Sequence, residues 1–237
     1  MAIFLLIHGG WHGGWCWQRV TPLLRAAGHE VFTPTLTGLG ERAHLLSPEI
    51  TLDTHVQDVV GVLEYEDLRD VVLVGHSYSG MVVTAVAERV ADRLAHLVYL
   101  DAFVPQDGQA LADLLEPRFW AMLDEQARTE GDGWRVPPPS PERWGITTED
   151  DVRWIRSKIG AHPHKTLKQP VRLTNPAAAA LPHTFIHCTY KPAGDVFAQL
   201  AERLRADARW RFRELATGHD AMVTAPQDVT TLLLELA

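Results

Sequence analysis

Residues Gly75-His76-Ser77-Tyr78-Ser79-Gly80 follow directly on the apolar run Val71-Val72-Leu73-Val74. That run is rich in β-branched residues and reads as a buried strand. A helical pattern begins right after the six residues, with Met81, Val82, Ala85, Val86 and Val90 at three- and four-residue spacing. Ser77 therefore falls on a sharp strand-to-helix turn among small residues, with its hydroxyl held out at the carboxyl end of the strand. A serine hydroxyl is a weak nucleophile until a base takes its proton. Of the twelve histidines, His219 in Ala216-Thr217-Gly218-His219-Asp220 is the candidate base. It follows the last strand-like run, at the same edge as Ser77. His162-Pro163-His164 has no third or fourth ligand nearby, so no metal site is expected there. Acyl transfer also needs two N–H donors for the oxyanion of its tetrahedral intermediate. One candidate is the amide of Tyr78. The other lies in the glycine-rich run His8-Gly9-Gly10-Trp11-His12-Gly13-Gly14, where Gly10 stands at the right distance from the strand before it.

These groups need a frame to hold them. Strand-like runs recur at Ile3–Ile7, Glu30–Pro34, Val71–Val74, Leu94–Leu100, Thr184–Cys188 and Arg209–Leu215. Helical patterns lie between most of them. Trp17–Ala27 stops at Gly28, Thr54–Glu66 carries Val56, Val59, Val60 and Leu63 on one face, and a last helix opens at Pro226. Strands alternating with helices predict βαβ units and a mostly parallel, six-stranded sheet flanked by helices, an α/β architecture. Residues 1–104 and 183–237 form this core. The rhythm breaks between residues 105 and 182, which hold Trp120, Trp134, Trp144, Trp154 and the Pro137-Pro138-Pro139 run. The expectation is a helical lid inserted on the carboxyl side of the sheet, lining an apolar pocket with Trp120, Trp144 and Trp154. Trp11 and His12 are expected to line the same pocket.

The composition narrows the classes of function. The 237 residues are 46% hydrophobic and 22% charged, ordinary for one globular domain. A net charge of −8 with scattered Lys and Arg argues against a nucleic-acid partner. Cys16 and Cys188 are far apart and lack metal-ligand spacing, so a reduced, cytoplasmic chain is expected. The opening Met-Ala-Ile-Phe-Leu-Leu-Ile-His reads as a first strand, not a signal peptide, and no stretch reaches the ~20 apolar residues of a membrane span.

The segment around Ser77 resembles the nucleophile elbow of the α/β-hydrolases, departing from G-x-S-x-G only in having Ser79 with Gly80 one step later. His8-Gly9-Gly10-Trp11-His12-Gly13-Gly14-Trp15, Gly28-His29-Glu30-Val31, Gly75-His76-Ser77-Tyr78 and Gly218-His219-Asp220-Ala221-Met222 together resemble one group within that fold. It holds bacterial EstC-type and pyrethroid-hydrolase-like esterases, plant methylesterases of the salicylic-acid-binding-protein type, and hydroxynitrile lyases. The resemblance implies a Ser–His–Asp triad in the chain order Ser, acid, His. It also implies an oxyanion hole at the Gly10 and Tyr78 amides, small apolar or aryl ester substrates, and no cofactor or metal. The expected partner is a small-molecule ester, without membrane or nucleic acid, for a monomer or homodimer.

The resemblance leaves the acid open. In the plant members it follows the strand that here is Thr184–Cys188, and the aligned residue is Lys191, which cannot serve. Asp101 closes the preceding strand at a rigid position and is preferred. Asp195 is the alternative, but it stands just before a helical run and reads as an N-cap. Three rival readings share the fold: a hydroxynitrile-lyase-like C–C lyase, a cofactor-free oxygenase, and a ligand-binding protein with a weakened triad. The lyases resemble this chain but carry a lysine directly after the histidine, where this sequence has Asp220.

Overall fold

The computed structural model describes all 237 residues. Six strands, β1 (Ile3–Ile7), β2 (Glu30–Phe32), β3 (Val71–His76), β4 (Leu94–Leu100), β7 (His183–Cys188) and β8 (Trp210–Leu215), form one sheet in the order β2-β1-β3-β4-β7-β8. All five pairings are parallel. A separate two-stranded antiparallel ribbon joins β5 (Arg135–Val136) to β6 (His162–Pro163).

Strand β3 lies in the middle of the sheet and is buried along its whole length. Its continuous apolar run is what a parallel strand covered on both faces requires. Alternate residues serve opposite layers. Val71 and Leu73 join the core with helices Leu52–Tyr65 and Ser79–Val90, while Val72 and Val74 pack toward Trp17, Leu24 and helix Pro226–Leu234. The predicted helix over Trp17–Ala27 is a 3-10 turn, Gly14–Trp17, followed by helix Thr21–Ala26. Pro22 forces the break: it has no N–H to give, and its ring excludes a preceding helical turn. The predicted strand to Pro34 stops at Phe32.

The register brings the strand ends abreast. Ile7 pairs with Gly75, His76 with Leu100, Leu100 with Ile186, and Cys188 with Leu215. The residues that follow, His8, Ser77, Asp101 and the loop after β8, therefore emerge side by side at the carboxyl edge. In open α/β sheets that edge is where ligands bind.

Residues 105–182 supply much of the wall above this edge. They include helices Leu111–Leu114, Pro117–Glu130 and Glu149–Arg156 and the β5–β6 ribbon. Pro117 opens the longest helix and Gly131 ends it, while Thr148 caps the helix Glu149–Arg156 by accepting from the Asp151 amide.

Candidate active site

Ser77 has φ 54° and Asp101 φ 46°, a left-handed backbone that a non-glycine residue adopts only when its surroundings enforce it. The neighbouring strands do so. The Ser77 amide donates to Leu100 O at 3.3 Å, the Phe103 amide to Ser77 O at 3.2 Å, and the Asp101 amide to Ile186 O at 2.7 Å. The turn after Ser77 is so tight that a Cβ on Gly80 would stand 1.9 Å from the Phe103 carbonyl oxygen. The steric demand falls on Gly80, which explains why serine is tolerated at position 79. The Ser79 hydroxyl donates to the His8 carbonyl, tying the turn to the glycine-rich loop after β1. That loop runs close against the turn as well: a Cβ on Gly9 would lie 2.8 Å from His76 Nδ1 and 3.0 Å from Ser77 Cβ.

Three side chains form a line. Ser77 Oγ is 2.9 Å from His219 Nε2, and His219 Nδ1 is 2.5 Å from Asp101 Oδ2. Asp101 is fully buried, and its Oδ1 accepts the Cys188 amide at 3.1 Å. Lys191, in the loop after β7, places its ammonium on Asp101 Oδ2. Burial alone raises the Asp101 carboxyl, but the hydrogen bond and charge of His219, then those of Lys191, hold it below its ordinary value. The alternative acid, Asp195, lines the same cavity but is not the carboxylate bonded to His219. It accepts from His187 Nε2 at 2.8 Å and from the Phe197 amide at 2.9 Å.

The loop of His219 is held from two directions. Its amide donates to Trp144 O at 2.7 Å, and its carbonyl accepts from His76 Nε2 at 2.9 Å. Burial lowers the His76 imidazole to about 3, so it serves as a neutral donor there. Phe197 stacks on the His219 ring, with centroids 5.8 Å apart.

Gly10, Trp11 and Tyr78 line the same cavity as Ser77 and His219, and the Gly10 and Tyr78 amides have no acceptor within the chain. The loop carrying Gly10 is pinned by its neighbours. His12 Nδ1–H donates to Gly10 O at 2.7 Å, and its Nε2–H donates to buried Asp220 at 3.2 Å. Burial opposes charge on both partners. Their mutual attraction outweighs it, raising the His12 imidazole and lowering Asp220 to about 2. Trp11, itself at φ 66°, gives its amide to His162 Nδ1 at 3.4 Å and its indole N–H to Val136 O at 3.1 Å, and accepts from the Gly160 amide at 3.1 Å. The β5–β6 ribbon, with two bonds, and Gly160 just before β6, with a third, thus hold the glycine-rich loop at one residue.

The cavity is about 700 Å³, with Trp11, Phe103, Phe119, Leu123, Trp144 and Phe197 among its walls. Trp11 and Trp144 stand where the sequence puts them, but the other three expected wall residues do not line it. His12 is buried behind the loop on Asp220. Trp154 packs edge-on against Trp15 under the Arg19 guanidinium. Trp120 stacks on His164, with centroids 5.3 Å apart, because helix Pro117–Glu130 turns Phe119, Met122 and Leu123 to the cavity and carries Trp120 past it. One residue along a helix is a rotation of about 100°. Phe103 and Phe197 carry no sequence signal for this wall beyond the apolar period of Val196-Phe197-Ala198, and His162, set aside as a metal ligand, lines it too. His76, His219 and Asp220 offer ligand atoms within 4.8 Å of one another, yet both ring nitrogens of His219 are committed to Ser77 and Asp101.

The model of the alpha/beta hydrolase family matches residues 4–232. This chain belongs to the alpha/beta hydrolase family. It is 38% identical over 245 aligned positions to the carbendazim hydrolyzing esterase of Nocardioides sp. (strain SG-4G), covering 100% of both chains. It is 33% identical over 196 positions to the pFDCC methylesterase MES16 of Arabidopsis thaliana, covering 77% of this chain and 74% of that one. Among solved structures, an extracellular alpha/beta-hydrolase from a Paenibacillus species superimposes with a TM-score of 0.87 at 24% identity, over 100% of this chain and 99% of that one. At that identity the likeness concerns the fold. As a family member with esterase relatives matched along all or most of its length, the chain is a carboxylic ester hydrolase. No helix is long and apolar enough to cross a membrane.

Proposed function

We propose that this hydrolase is a serine carboxylesterase that works through an acyl-enzyme on Ser77. What supports the reading most is the continuous line Ser77 Oγ–His219 Nε2, His219 Nδ1–Asp101 Oδ2 at 2.9 and 2.5 Å, opening onto a cavity that the Gly10 and Tyr78 amides also line. His219 takes the Ser77 proton as Oγ attacks the ester carbonyl carbon. Asp101 keeps the proton on Nδ1 and stabilises the imidazolium that forms. The Gly10 and Tyr78 amides receive the oxyanion. Collapse breaks the ester C–O bond, and His219 gives its proton to the departing alkoxide. Water, deprotonated by His219, then hydrolyses the acyl-Ser77 ester to the carboxylic acid and restores the serine.

Residues 105–182 act as a lid over this centre, and the aromatic and aliphatic walls favour small apolar or aryl esters. Both cysteines are free and buried, which suits a reducing compartment such as the cytoplasm. Turnover of p-nitrophenyl acetate by the wild type and by Ser77→Ala tests the reading. Ser77→Ala should stay folded and lose nearly all turnover, and a serine-directed phosphonate should label Ser77 alone. Unchanged turnover in Ser77→Ala rejects the acyl-enzyme.

A further inference from the structure

Asp101 Oδ2 is shared. It accepts the Nδ1–H of His219 and, on the same oxygen, a proton of the Lys191 ammonium, while Oδ1 is occupied by the Cys188 amide. The carboxylate is fully buried and the Lys191 side chain is only 10% exposed, so the three groups interact with little screening by water. Lys191 also forms part of the cavity wall, over the face of Phe197 at 5.1 Å. Its other anion, Asp195, stands 3.8 Å away and is already engaged by His187.

We propose that Lys191 is a positioning residue that sets the basicity of His219 by competing with the imidazole for the Asp101 carboxylate. The inference rests on the Ser77–His219–Asp101 reading given above. With neutral His219, the Asp101–Lys191 pair has no net charge. When His219 takes the Ser77 proton, one carboxylate must serve two cations at a single oxygen. The imidazolium is then less stabilised than it would be beside Asp101 alone, so His219 is a weaker base and gives its proton more readily to the leaving alkoxide. The other groups facing His219 do not do this. His76, with its ring 4.6 Å away, is neutral, Asp220 is committed to His12, and burial holds the Cys188 thiol protonated beside Asp101. Lys191 alone brings a fixed positive charge onto the oxygen that holds the imidazole.

The test is the pH profile of kcat/KM for p-nitrophenyl acetate in the wild type, Lys191→Met, Lys191→Gln and Lys191→Arg, with thermal melting of each. Removing the charge should move the midpoint of the acid limb upward by about one pH unit in both Lys191→Met and Lys191→Gln. Lys191→Arg should keep the wild-type midpoint, because it keeps a cation on Asp101. A midpoint unmoved in folded Lys191→Met or Lys191→Gln, or moved equally in Lys191→Arg, overturns the proposal and leaves Lys191 a packing residue. Asp101→Asn separates the two levels. Wild-type turnover in that variant removes the triad reading itself. Collapse of its turnover beside an unmoved limb in the Lys191 variants removes only this inference.

Discussion

Replacing Asp101 with Asn changes one atom, and three effects follow from where that atom sits. Asp101 Oδ2 fixes the proton of His219 on Nδ1, which leaves Nε2 free to accept from Ser77 Oγ. An asparagine amide turned toward Nδ1 donates instead, so the neutral ring must carry its proton on Nε2, pointing at the serine it should deprotonate. On the proposed route the imidazolium also loses its buried counter-ion, and the Lys191 ammonium stays nearby with only the more distant Asp195 to balance it. A wrong tautomer at a buried triad costs about four orders of magnitude in kcat, or about 5 kcal/mol of transition-state stabilisation. KM should change little, because Asp101 lies behind His219 and does not line the cavity. Stability should fall by no more than a few kcal/mol, since Lys191 keeps Asp195 within 3.8 Å. The assay is steady-state hydrolysis of p-nitrophenyl acetate by Asp101→Asn and Asp195→Asn at matched far-UV circular dichroism. Asp195→Asn should remain active and lose about 1 kcal/mol with its bonds to His187 and Phe197. If Asp101→Asn retained more than about a tenth of wild-type kcat, where four orders of loss are expected, the tautomer argument would be refuted.

Asp220→Asn should lower the melting temperature at neutral pH, because it leaves buried His12 without its anion, a loss of about 3 kcal/mol. The acid dependence should flatten with it. Asp220 in the fold sits near 2 against 3.8 for a free carboxyl, so its contribution is full above about pH 4 and is lost as pH falls toward 2. His12 is raised, so its share is full below 6.5 and is lost as pH rises through its folded value. Melting curves across pH for the wild type and Asp220→Asn check both signs. His162→Ala should reduce kcat and slow phosphonate labelling of Ser77 in parallel, because it frees the Trp11 amide and with it the loop of Gly10. Equal labelling rates would show that His162 does not hold that loop. A neutral aryl ester should have a higher kcat/KM than an acidic ester of equal size, since Arg118 and Arg143 at the cavity rim are exposed and screened, the wall cation Lys191 is already paired with Asp101 and Asp195, and most of the remaining buried wall is apolar; the reverse preference would contradict the apolar reading.

Much of the frame was legible along the chain. The central strands are apolar without interruption, as burial on both faces demands, and their ends were read to within two residues. The turn at Ser77 was legible because small residues, a strand and a helix must meet there in immediate sequence. The helix expected over Trp17–Ala27 breaks where Pro22 outweighs the apolar period. The cavity wall was the least legible part. Tryptophan content pointed to residues 105–182, but whether Phe119 or Trp120 faces inward depends on the rotation of one helix against its neighbours.

By itself, then, the sequence determined the α/β layering, the strand-to-helix turn at Ser77, the glycine-rich loop after β1 and the late histidine. Each is written in residues that adjoin one another, where backbone sterics and burial period act locally. The tertiary structure decided what stands beside His219. Asp101, Lys191 and Asp195 are all carried on the strands or loops next to it; local sequence favours Asp101 at a strand end over a cap-like Asp195, but it says nothing of Lys191 sharing the carboxylate that meets the imidazole. The register of β4 against β7 puts Asp101 and Lys191 on the same side of the imidazole, and the path after Gly194 turns Asp195 to His187. Partners more than eighty residues apart are selected by how strands pair and helices pack, which is a property of the assembled sheet and not of any segment within it.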